Sequence, residues 1–290
     1  MNGIESRYRY IEGAVLTYWN AVDIRRAIEK GLNSITITVD FGLRNIDVHI
    51  VGKGIEIDGI LLDIDYINSI EEGFAYKVID GVLKRIDLYD GGKYYKLKPI
   101  AIDKAPTLEI NGIQMHRTVD VDPWTDSMLK VKTLGRLDGY RVLDICTGLG
   151  YTAIAEAMLG AREVVTVEID PNVLFIASMN PWSRGLEDNR IRIILGNAIE
   201  VIKLFDEETF DAIVHDPPRF NIAGELYSLD FYRDLYRVLR RGGKLFHYTG
   251  EPGRHTNIDI LKGIKNRLYR AGFDEVRWIP RAQGFIAKKI

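Results

Sequence analysis

The sequence has few of the features on which several classes of protein depend. Its 290 residues include one cysteine, Cys146, so neither a disulfide framework nor a cysteine-based metal site can form within one chain. The first 18 residues lack the basic segment, apolar core and cleavage site of a signal peptide. No apolar run approaches the roughly 18 residues that a membrane-spanning helix needs. We therefore expect a cytoplasmic protein without membrane association, in which Cys146 is a small buried apolar residue.

The net charge of −2 indicates no partner by itself, but the charge is unevenly distributed. Residues 141–218 contain 6 Lys and Arg against 13 Asp and Glu, a net charge of −7, whereas residues 219–290 contain 15 against 7, a net charge of +8. A basic excess of this kind can attract a polyanion such as RNA. The alternative is that these basic residues, such as Lys262, Lys265 and Arg270, belong to ordinary solvated helix faces.

The first 115 residues are predicted to form a small β-rich α+β domain. Residues 1–30 have helical spacing, with Ile24, Ala27 and Ile28 on one face. From residue 34 onward, runs of alternating polar and apolar residues are separated by Gly and Asp-Gly turns, which is typical of antiparallel hairpins. These strands are predicted at 34–40, 45–50, 54–57, 74–79, 82–88, 94–97 and 107–113. A short helix is predicted at 63–71.

Beyond residue 141 the predicted strands and helices alternate, which requires a parallel sheet with helices on both faces. The strands are predicted at 142–146, 164–168, 191–195, 211–215, 243–248, 275–280 and 284–289, and the helices at 151–159, 171–179, 198–204, 225–239 and 257–271. Gly242 and Gly243 are interpreted as the C-cap of the helix at 225–239. The last two strands are joined by only three residues, too few for a parallel crossover, so they must form an antiparallel hairpin.

The most informative stretch lies at residues 142–170. A buried strand is followed by the tight turn Thr147-Gly148-Leu149-Gly150, a helix from Tyr151 and a second strand that ends at Glu168. This order is typical of a nucleotide-binding βαβ unit, in which an acid at the end of the second strand binds ribose hydroxyls. Glycines let the backbone approach a ligand closely. Ala153 stands where a dinucleotide fingerprint has its third glycine, a tolerated variant, so the spacing alone leaves NAD possible.

The pattern Asp144-x-x-x-Gly148-x-Gly150 resembles the first motif of the class I S-adenosylmethionine (SAM)-dependent methyltransferases. The resemblance covers residues 120–290. The residue pattern along the whole chain resembles that of uncharacterised archaeal predicted methyltransferases. It implies a seven-stranded doubly wound sheet ending in an antiparallel hairpin. The SAM-binding catalytic domain would then span residues 116–290, and the domain of residues 1–115 would help to recognise the substrate.

The same resemblance implies SAM as the cofactor and assigns the residues that hold it. Asp144 would lie near the methionine end, and the glycine turn would pass beneath the sugar and the amino acid. Glu168 would bind the ribose hydroxyls. Asn197 and Ala198 stand where the family often has Asp-Ala against the adenine, and an asparagine carbonyl oxygen can still accept from the exocyclic amine. The implied cofactor-binding set is Asp144, Thr147, Gly148, Gly150, Glu168, Asn197 and Ala198.

The fourth strand of this sheet ends in His215-Asp216-Pro217-Pro218-Arg219-Phe220, which resembles the [Asp/Asn]-Pro-Pro-aromatic motif of amino-group methyltransferases. A planar nitrogen is a poor nucleophile, and a carboxylate together with a backbone carbonyl can accept its hydrogens and align its lone pair with the methyl group. The prolines hold this backbone rigid and lack N–H donors. The resemblance implies that the catalytic residues are Asp216, Pro217, Pro218 and Phe220.

The motif departs from the family pattern because Arg219 occupies the usual aromatic position and Phe220 follows it, as in some RNA base methyltransferases. The target atom therefore stays open between an exocyclic nitrogen, a ring nitrogen and a carbon. Arg219 could contact a phosphate or carboxylate of the substrate. The plainer alternative is that Asp216, Pro217 and Pro218 merely terminate a strand.

Two polar and aromatic segments flank the predicted sheet. In this fold the segment equivalent to residues 116–126 often closes over the cofactor. Its His116, Asp120 and Asp122 match no strong ligand spacing, so no metal is expected. Residues 247–255, beginning with His247 and Tyr248, are a candidate substrate loop. A Gly-x-Ser-x-Gly hydrolase elbow is absent from the sequence.

These observations predict a SAM-dependent methyltransferase that acts on a nitrogen of an RNA base or a similar planar amino group, with a protein or small molecule as other possible substrates. An alternative is a polyamine aminopropyltransferase, which uses decarboxylated SAM and pairs a β domain with this sheet; its usual Gly-Gly-Gly-Asp-Gly loop is missing here. A third hypothesis is a nucleic-acid-binding module with a vestigial cofactor fold. Intact Asp144, Glu168 and Asp216 argue against it. The sequence indicates no oligomeric state.

Overall fold

The computed structural model describes residues 3–250 and 260–290, which divide into two compact units. The first, here called the sheet unit, lies within Met1–Tyr8, Thr125–Pro171 and Leu186–Ile290. The second, the β-rich unit, comprises Arg9–Trp124 and Asn172–Gly185. Neither unit is continuous in the chain, and the predicted boundary between residues 115 and 116 stays a prediction.

The described residues form eight α-helices and 19 strands, numbered in chain order. Helices α1 to α8 span Tyr18–Glu29, Ile64–Asn68, Pro123–Lys132, Tyr151–Met158, Pro171–Met179, Ala198–Val201, Leu229–Val238 and Ile260–Ala271. Strands β1 to β12 span Ile4–Ser6, Val15–Thr17, Ser34–Val39, Arg44–Val51, Gly54–Ile57, Ile60–Asp63, Ala75–Ile79, Val82–Arg85, Asp87–Asp90, Lys93–Lys98, Thr107–Ile110 and Ile113–Gln114. Strands β13 to β19 span Arg141–Ile145, Glu163–Glu168, Ile191–Leu195, Phe210–His215, Leu239–Tyr248, Asp274–Ile279 and Gly284–Lys288. None of the helices in this part of the chain has the length and apolar composition to cross a bilayer.

The sheet unit contains an eight-stranded sheet in the order β1-β15-β14-β13-β16-β17-β19-β18. Strands β13 to β17 are parallel to their neighbours in this group, and β18 and β19 form the antiparallel hairpin that the sequence predicts. The seven-stranded doubly wound sheet is therefore confirmed. An eighth strand, β1, pairs antiparallel with β15 at the edge. The chain order reverses between β13 and β16, and ligands of open α/β sheets bind at such a switch point, beyond the carboxyl ends of the strands.

The central strands are almost continuously apolar because both faces of a parallel sheet are covered by helices. Val142, Leu143 and Ile145 of β13 are fully buried. Phe231 and Leu235 of helix α7 belong to the same core cluster as Leu143 and Ile145. Full burial of each such side chain stabilises the fold by roughly 1.5–3 kcal/mol.

The β-rich unit contains three small antiparallel sheets, which confirms the predicted β-rich domain. Three of its hairpins turn at Asp58-Gly59, Asp80-Gly81 and Asn111-Gly112, where both residues have a positive φ. This is the backbone of the tight hairpin turn that Asp-Gly and Asn-Gly favour. Residues 172–185 complete this unit, since Ile11 N donates to Ser178 O (2.8 Å) and Trp182 Nε1 donates to Phe41 O (3.3 Å).

The structure corrects several local predictions. The single strands predicted at 82–88 and 107–113 are each divided, into β8 and β9 and into β11 and β12. Residues 1–30 are not helical throughout, because β1 and β2 precede α1 and place apolar residues in sheets. Gly242 is not a helix C-cap: α7 ends at Val238, the next residue is extended, and Gly242 lies within β17 with a φ of +79° and donates its N–H to Lys289 O (2.7 Å). The predicted start of the last helix, at 257–259, lies outside the described residues.

Candidate active site

The turn after β13 is tightly coiled. Cys146, Gly148 and Gly150 all have a positive φ, of 75°, 54° and 80°. The turn is closed by a hydrogen bond from Gly150 N to Thr147 O (2.7 Å), and it is tied to β14 because the N–H groups of Cys146 and Thr147 both donate to Val167 O (3.0 Å each). This local geometry places α4 directly beyond the switch point.

The two glycines of the turn serve different purposes. A Cβ added to Gly150 would lie 2.5–2.6 Å from the Leu186 side chain, so this glycine permits close packing. A Cβ added to Gly148 would have no neighbouring atom within 4 Å. Gly148 therefore leaves open space beside the backbone, where a ligand can approach.

Cys146 was expected to be a small buried apolar residue, but it is only partly buried. Its positive φ is a backbone conformation that residues other than glycine rarely adopt. Burial raises the pKa of its thiol well above the ordinary value, so the sulfur is not an activated nucleophile. The residue contributes to the shape of the turn. Nothing in the sequence pattern distinguishes this position from the strand before it.

Glu168 ends β14 and is buried. Its Oε2 accepts from Gly148 N (3.0 Å), and its Oε1 accepts from the N–H groups of Ile169 and Asp170 (2.9 and 3.0 Å). Burial raises the pKa of this carboxyl, and the three backbone donors oppose the shift. Each carboxylate oxygen has more than one acceptor site, so Glu168 both anchors the glycine turn and retains capacity to accept ribose hydroxyls.

Asp144 is fully buried and belongs to a network of hydroxyl groups. Its Oδ2 accepts from Thr166 Oγ1 (2.6 Å), which lies 2.6 Å from Thr147 Oγ1. Burial raises the pKa of Asp144 to about 7, although hydrogen bonding from Thr166 opposes the shift. The side chains of Asp144 and Thr147 thus point into the protein beneath the turn, and their cofactor contacts stay a prediction.

Asn197 and Ala198 lie just beyond β15, at the same edge of the sheet as Glu168. The Asn197 side chain is exposed and its Oδ1 caps α6 by accepting from Ile199 N (2.9 Å). Its amide group therefore has a structural role as well as the predicted contact with adenine. Ala198 is buried.

Asp216 lies across the switch point from the glycine turn. Strands β13 and β16 are paired with Ile145 opposite His215, and Asp216 N donates to Ile145 O (3.2 Å). The structure therefore places the Asp-Pro-Pro motif beside the predicted cofactor turn. Burial raises the pKa of Asp216, and the positive charge of Lys130 opposes the shift.

The residues after Asp216 form a partly aromatic surface. Tyr227 donates its hydroxyl hydrogen to Pro218 O (2.9 Å). The Phe220 ring stands edge-on to the Tyr227 ring, with centroids 5.3 Å apart, and 43% of Phe220 is exposed. Arg219 is also exposed. An accessible guanidinium group and an accessible aromatic ring thus follow Asp216 after two prolines.

Sequence reasoning missed Lys130, which lies on α3. Its Nζ is 2.7 and 3.0 Å from the two carboxylate oxygens of Asp216, 3.0 Å from Asp126 Oδ2 and 3.8 Å from the centroid of the Tyr248 ring. Only 3% of the Lys130 side chain is exposed. The Asp-x-x-x-Lys spacing of Asp126 and Lys130 was the one available hint, but such pairs are common on helix surfaces.

The two residues predicted to open the substrate loop have different environments. His247 is fully buried and stacks on His215 with ring centroids 4.4 Å apart, and its Nε2 is 2.8 Å from the Tyr232 hydroxyl. Burial lowers the pKa of His247 to about 3. The neutral ring belongs to the interior, whereas Tyr248 faces Lys130. Residues 251–255 of the predicted loop lie outside the described residues.

Of the flanking segment 116–126, residues 116–124 belong to the β-rich unit and residues 125 and 126 to the sheet unit. His116 Nδ1 is 3.1 Å from Thr107 Oγ1. Within residues 3–250 and 260–290, no three His, Cys, Asp or Glu side chains are grouped in a way that could hold a metal ion.

The residues at the carboxyl edge of the sheet fit SAM. The open space at Gly148 would accommodate the sugar and the amino acid, and the carboxylate oxygens of Glu168 would accept from the ribose hydroxyls. Asp216 lies across the switch point and would accept from a substrate to which the methyl group is presented. When bound, SAM supplies a methyl group on a positively charged sulfur, which is open to attack by a nucleophile.

Comparison with known proteins agrees with this geometry. A family model described as a methyltransferase domain matches residues 142–243. An uncharacterised protein of Methanocaldococcus jannaschii is 47% identical over 220 residues, which cover 76% of this chain and 75% of that protein. Ribosomal RNA large subunit methyltransferase I of Aeromonas hydrophila is 30% identical over 120 residues, which cover 39% of this chain and 30% of that protein. The crystal structure of spermidine synthase from Thermotoga maritima has the same fold, with a TM-score of 0.55, 19% identity and coverage of 70% of this chain and 72% of that chain.

Proposed function

Because the chain belongs to the class I SAM-dependent methyltransferases, we propose that it transfers the methyl group of SAM to a nitrogen of a planar amino group, with an RNA base as the leading substrate. That the chain is an enzyme with SAM as its cofactor follows from the family. The substrate is the new element of the proposal.

One observation carries the proposal: the Asp216 carboxylate is held across the switch point from the glycine turn of residues 147–150. A conjugated amino group keeps its lone pair in the ring system, so it attacks a methyl group poorly. An ionised carboxylate that accepts one of its hydrogens draws the nitrogen toward the geometry needed for attack. Pro217 contributes no N–H that would repel the amino group.

The surroundings of Asp216 support a planar, anionic substrate. The exposed ring of Phe220 can stack on a base. Arg219 is exposed beside it and can pair with a phosphate. Arg219 and Phe220 follow Asp216 within four residues, so one nucleotide could contact all three side chains.

The basic excess of residues 219–290 supports RNA less directly. Arg240 pairs with Asp211 (2.6 Å) and Arg241 with Glu208 (3.7 Å). Arg240 and Arg241 lie near the amino end of β17, at the edge of the sheet opposite to Asp216. Attraction of a phosphate to the site therefore depends on Arg219 more than on these arginines.

The rival proposal is aminopropyl transfer from decarboxylated SAM to a polyamine. The fold is compatible, since the chain shares it with a spermidine synthase. A polyamine is a cation, however, and Lys130 offsets the charge of Asp216 at a distance of 2.7 Å. This ion pair favours an uncharged amino group as the substrate.

The test is to incubate the enzyme with methyl-labelled SAM, or with decarboxylated SAM labelled in its aminopropyl group, together with total RNA, protein extract or polyamines. We expect label from SAM in RNA. Asp216→Ala should lower turnover by about 10²–10⁴-fold, the usual contribution of such a group, without changing the affinity for SAM. Glu207→Ala, at an exposed acid, is the matched control.

Label that passes only from decarboxylated SAM to polyamines would overturn methyl transfer. Label from SAM in protein alone would exclude RNA as the substrate. Normal turnover by folded Asp216→Ala would show that the Asp-Pro-Pro segment merely terminates strand β16.

A further inference from the structure

The buried ammonium group of Lys130 contacts the acceptor carboxylate from the protein side. Its Nζ lies 3.0 Å from Oδ1 and 2.7 Å from Oδ2 of Asp216. We infer that Lys130 is a positioning residue, which fixes the orientation of the Asp216 carboxylate and keeps it an ionised hydrogen-bond acceptor for the substrate. This inference rests on the proposed role of Asp216.

The orientation follows from the two contacts. A carboxylate that shares both oxygens with one ammonium cannot rotate freely about its terminal bond. The side chain of Asp216 is 17% exposed while that of Lys130 is 3% exposed, so the ammonium binds the inner side and the accessible part of the carboxylate faces outward. A substrate N–H can therefore meet the carboxylate in one orientation only.

Lys130 is itself held from two sides. Asp126, one turn earlier on α3, pairs with it at 3.0 Å. The Tyr248 ring covers it at 3.8 Å, a distance at which an aromatic face attracts a cation. A lysine side chain is ordinarily mobile, but these contacts from α3 and from the end of β17 leave it one position.

The protonation state follows from the charges that face the pair. Burial alone would lower the pKa of Lys130, but the carboxylates of Asp216 and Asp126 raise it above the ordinary value, so the ammonium is charged. Burial raises the pKa of Asp216, and this charge opposes the shift. The titratable groups that act on the pair from the surrounding elements are Asp126, Asp144, Cys146, Tyr227 and Tyr248.

Removing the ammonium should therefore raise the pKa of Asp216 further. A protonated Asp216 would present an O–H group to the substrate amine and lose much of its acceptor capacity. Activity depends on the ionised form, so it is lost as the pH falls through this pKa. In Lys130→Met the acid limb of the pH–rate profile should move to higher pH.

The experiment compares Lys130→Met, Lys130→Arg and the exposed control Lys132→Met in the methylation assay across pH 5 to 9. We expect Lys130→Met to shift the acid limb upward by about one pH unit or more and to lower kcat near pH 7 by about tenfold or more. Lys130→Arg should keep the acid limb near its original position, because its charge is retained. Lys132→Met and the affinity for SAM should be unchanged. A wild-type profile in folded Lys130→Met would overturn the inference.

A second measurement does not depend on activity. The carboxyl ¹³C resonance of Asp216, assigned by its disappearance in Asp216→Asn, should titrate at higher pH in Lys130→Met than in the wild type. If Lys130→Met does not fold, Lys130→Gln replaces it in the same titration. An unchanged titration in either folded variant would also overturn the inference.

The two proposals fail in different ways. If Asp216→Ala turns over normally, the role of Asp216 in the proposed function is wrong whatever Lys130 does. If Asp216→Ala is inactive but Lys130→Met has the wild-type profile and titration, only the positioning role of Lys130 is wrong.

Discussion

Three acids lie at the carboxyl edge of the sheet, the buried Asp144 and Glu168 and the half-buried Asp216, and they have different partners. Asp144 is bonded to a threonine hydroxyl, Glu168 to three backbone N–H groups and Asp216 to an ammonium. Burial raises the pKa of each. A carboxylate held by neutral N–H groups can still receive ribose hydroxyls, whereas one held by a lysine is suited to a substrate N–H. The residue type alone does not distinguish these environments.

The role of Glu168 can be tested by replacement with alanine. Removing the acceptor for two ribose hydroxyls should cost roughly 1.5–3 kcal/mol of binding free energy, since hydrogen bonds to a charged group are lost. This corresponds to about a ten- to hundredfold weaker affinity for SAM. Calorimetric titration of SAM into the folded variant measures it.

The control is Glu163→Ala, at the amino end of the same strand. Glu163 pairs with Arg141 and not with the glycine turn, so Glu163→Ala should leave the affinity for SAM unchanged. Equal affinities of Glu168→Ala and the wild type would rule out the ribose contact.

At the scale of the element, the two glycines of the turn after β13 should respond differently to replacement by alanine. Gly150→Ala should destabilise the fold by about 1–3 kcal/mol through overpacking against Leu186, with a further cost of about 1 kcal/mol for a positive φ. Gly148→Ala meets no atom and should show only the backbone cost, about 1 kcal/mol, while weakening SAM binding.

Thermal unfolding and SAM titration of the two variants separate these effects. Gly150→Ala should lower Tm more than Gly148→Ala does. Gly148→Ala should weaken SAM binding by more than its loss of stability explains. Identical behaviour of the two variants would contradict this division.

Helix α4 carries a further element-scale test. Glu156 is fully buried, and neither carboxyl oxygen has a hydrogen-bond partner among the described residues. Burial raises the pKa of Glu156 well above its ordinary value of 4.5. Above pH 4.5 the folded state therefore holds a proton that the unfolded state releases, and the stability of the wild type falls as the pH rises toward the folded-state pKa.

Glu156→Gln carries no such proton, so its stability relative to the wild type should increase with pH, by at most about 1.4 kcal/mol per pH unit. Denaturant unfolding between pH 5 and pH 8 measures the difference, with Glu207→Gln as an exposed control. A difference that stays constant over this range would show that Glu156 ionises in the folded protein.

At the scale of the whole molecule, the β-rich unit includes a segment that follows β14 in the chain. Met179 O accepts from the buried Lys77 Nζ (3.0 Å), and Trp182 Nε1 donates to Phe41 O (3.3 Å). A fragment of residues 116–290 would retain the segment 172–185 without its partners from residues 9–115.

We therefore expect the fragment of residues 116–290 to unfold at lower temperature than the full chain and to bind a hydrophobic dye. Its tryptophan fluorescence should be red-shifted, since Trp182 loses its hydrogen bond to Phe41 O. A fragment with the Tm and SAM affinity of the full chain would instead support the predicted division at residue 115/116.

The elements of the sheet unit could be predicted because their information is local. Apolar runs such as 142–145 and turn residues such as Gly148 and Gly150 act within one strand–turn–helix unit, and the four-residue link before β19 is too short for a parallel connection. The edge strand β1 could not be predicted, since three residues become a strand only when β15 offers its free edge.

The sequence by itself determined the parallel sheet, its terminal hairpin, the glycine turn and the carboxyl-end position of Glu168 and Asp216, because periodicity and turn chemistry act over a few residues. Only the tertiary structure decided which groups surround those acids. Lys130 precedes Asp216 by 86 residues and Tyr248 follows it on another strand. A buried ion pair depends on distances of a few ångströms between segments far apart in the chain, and no local pattern encodes such distances.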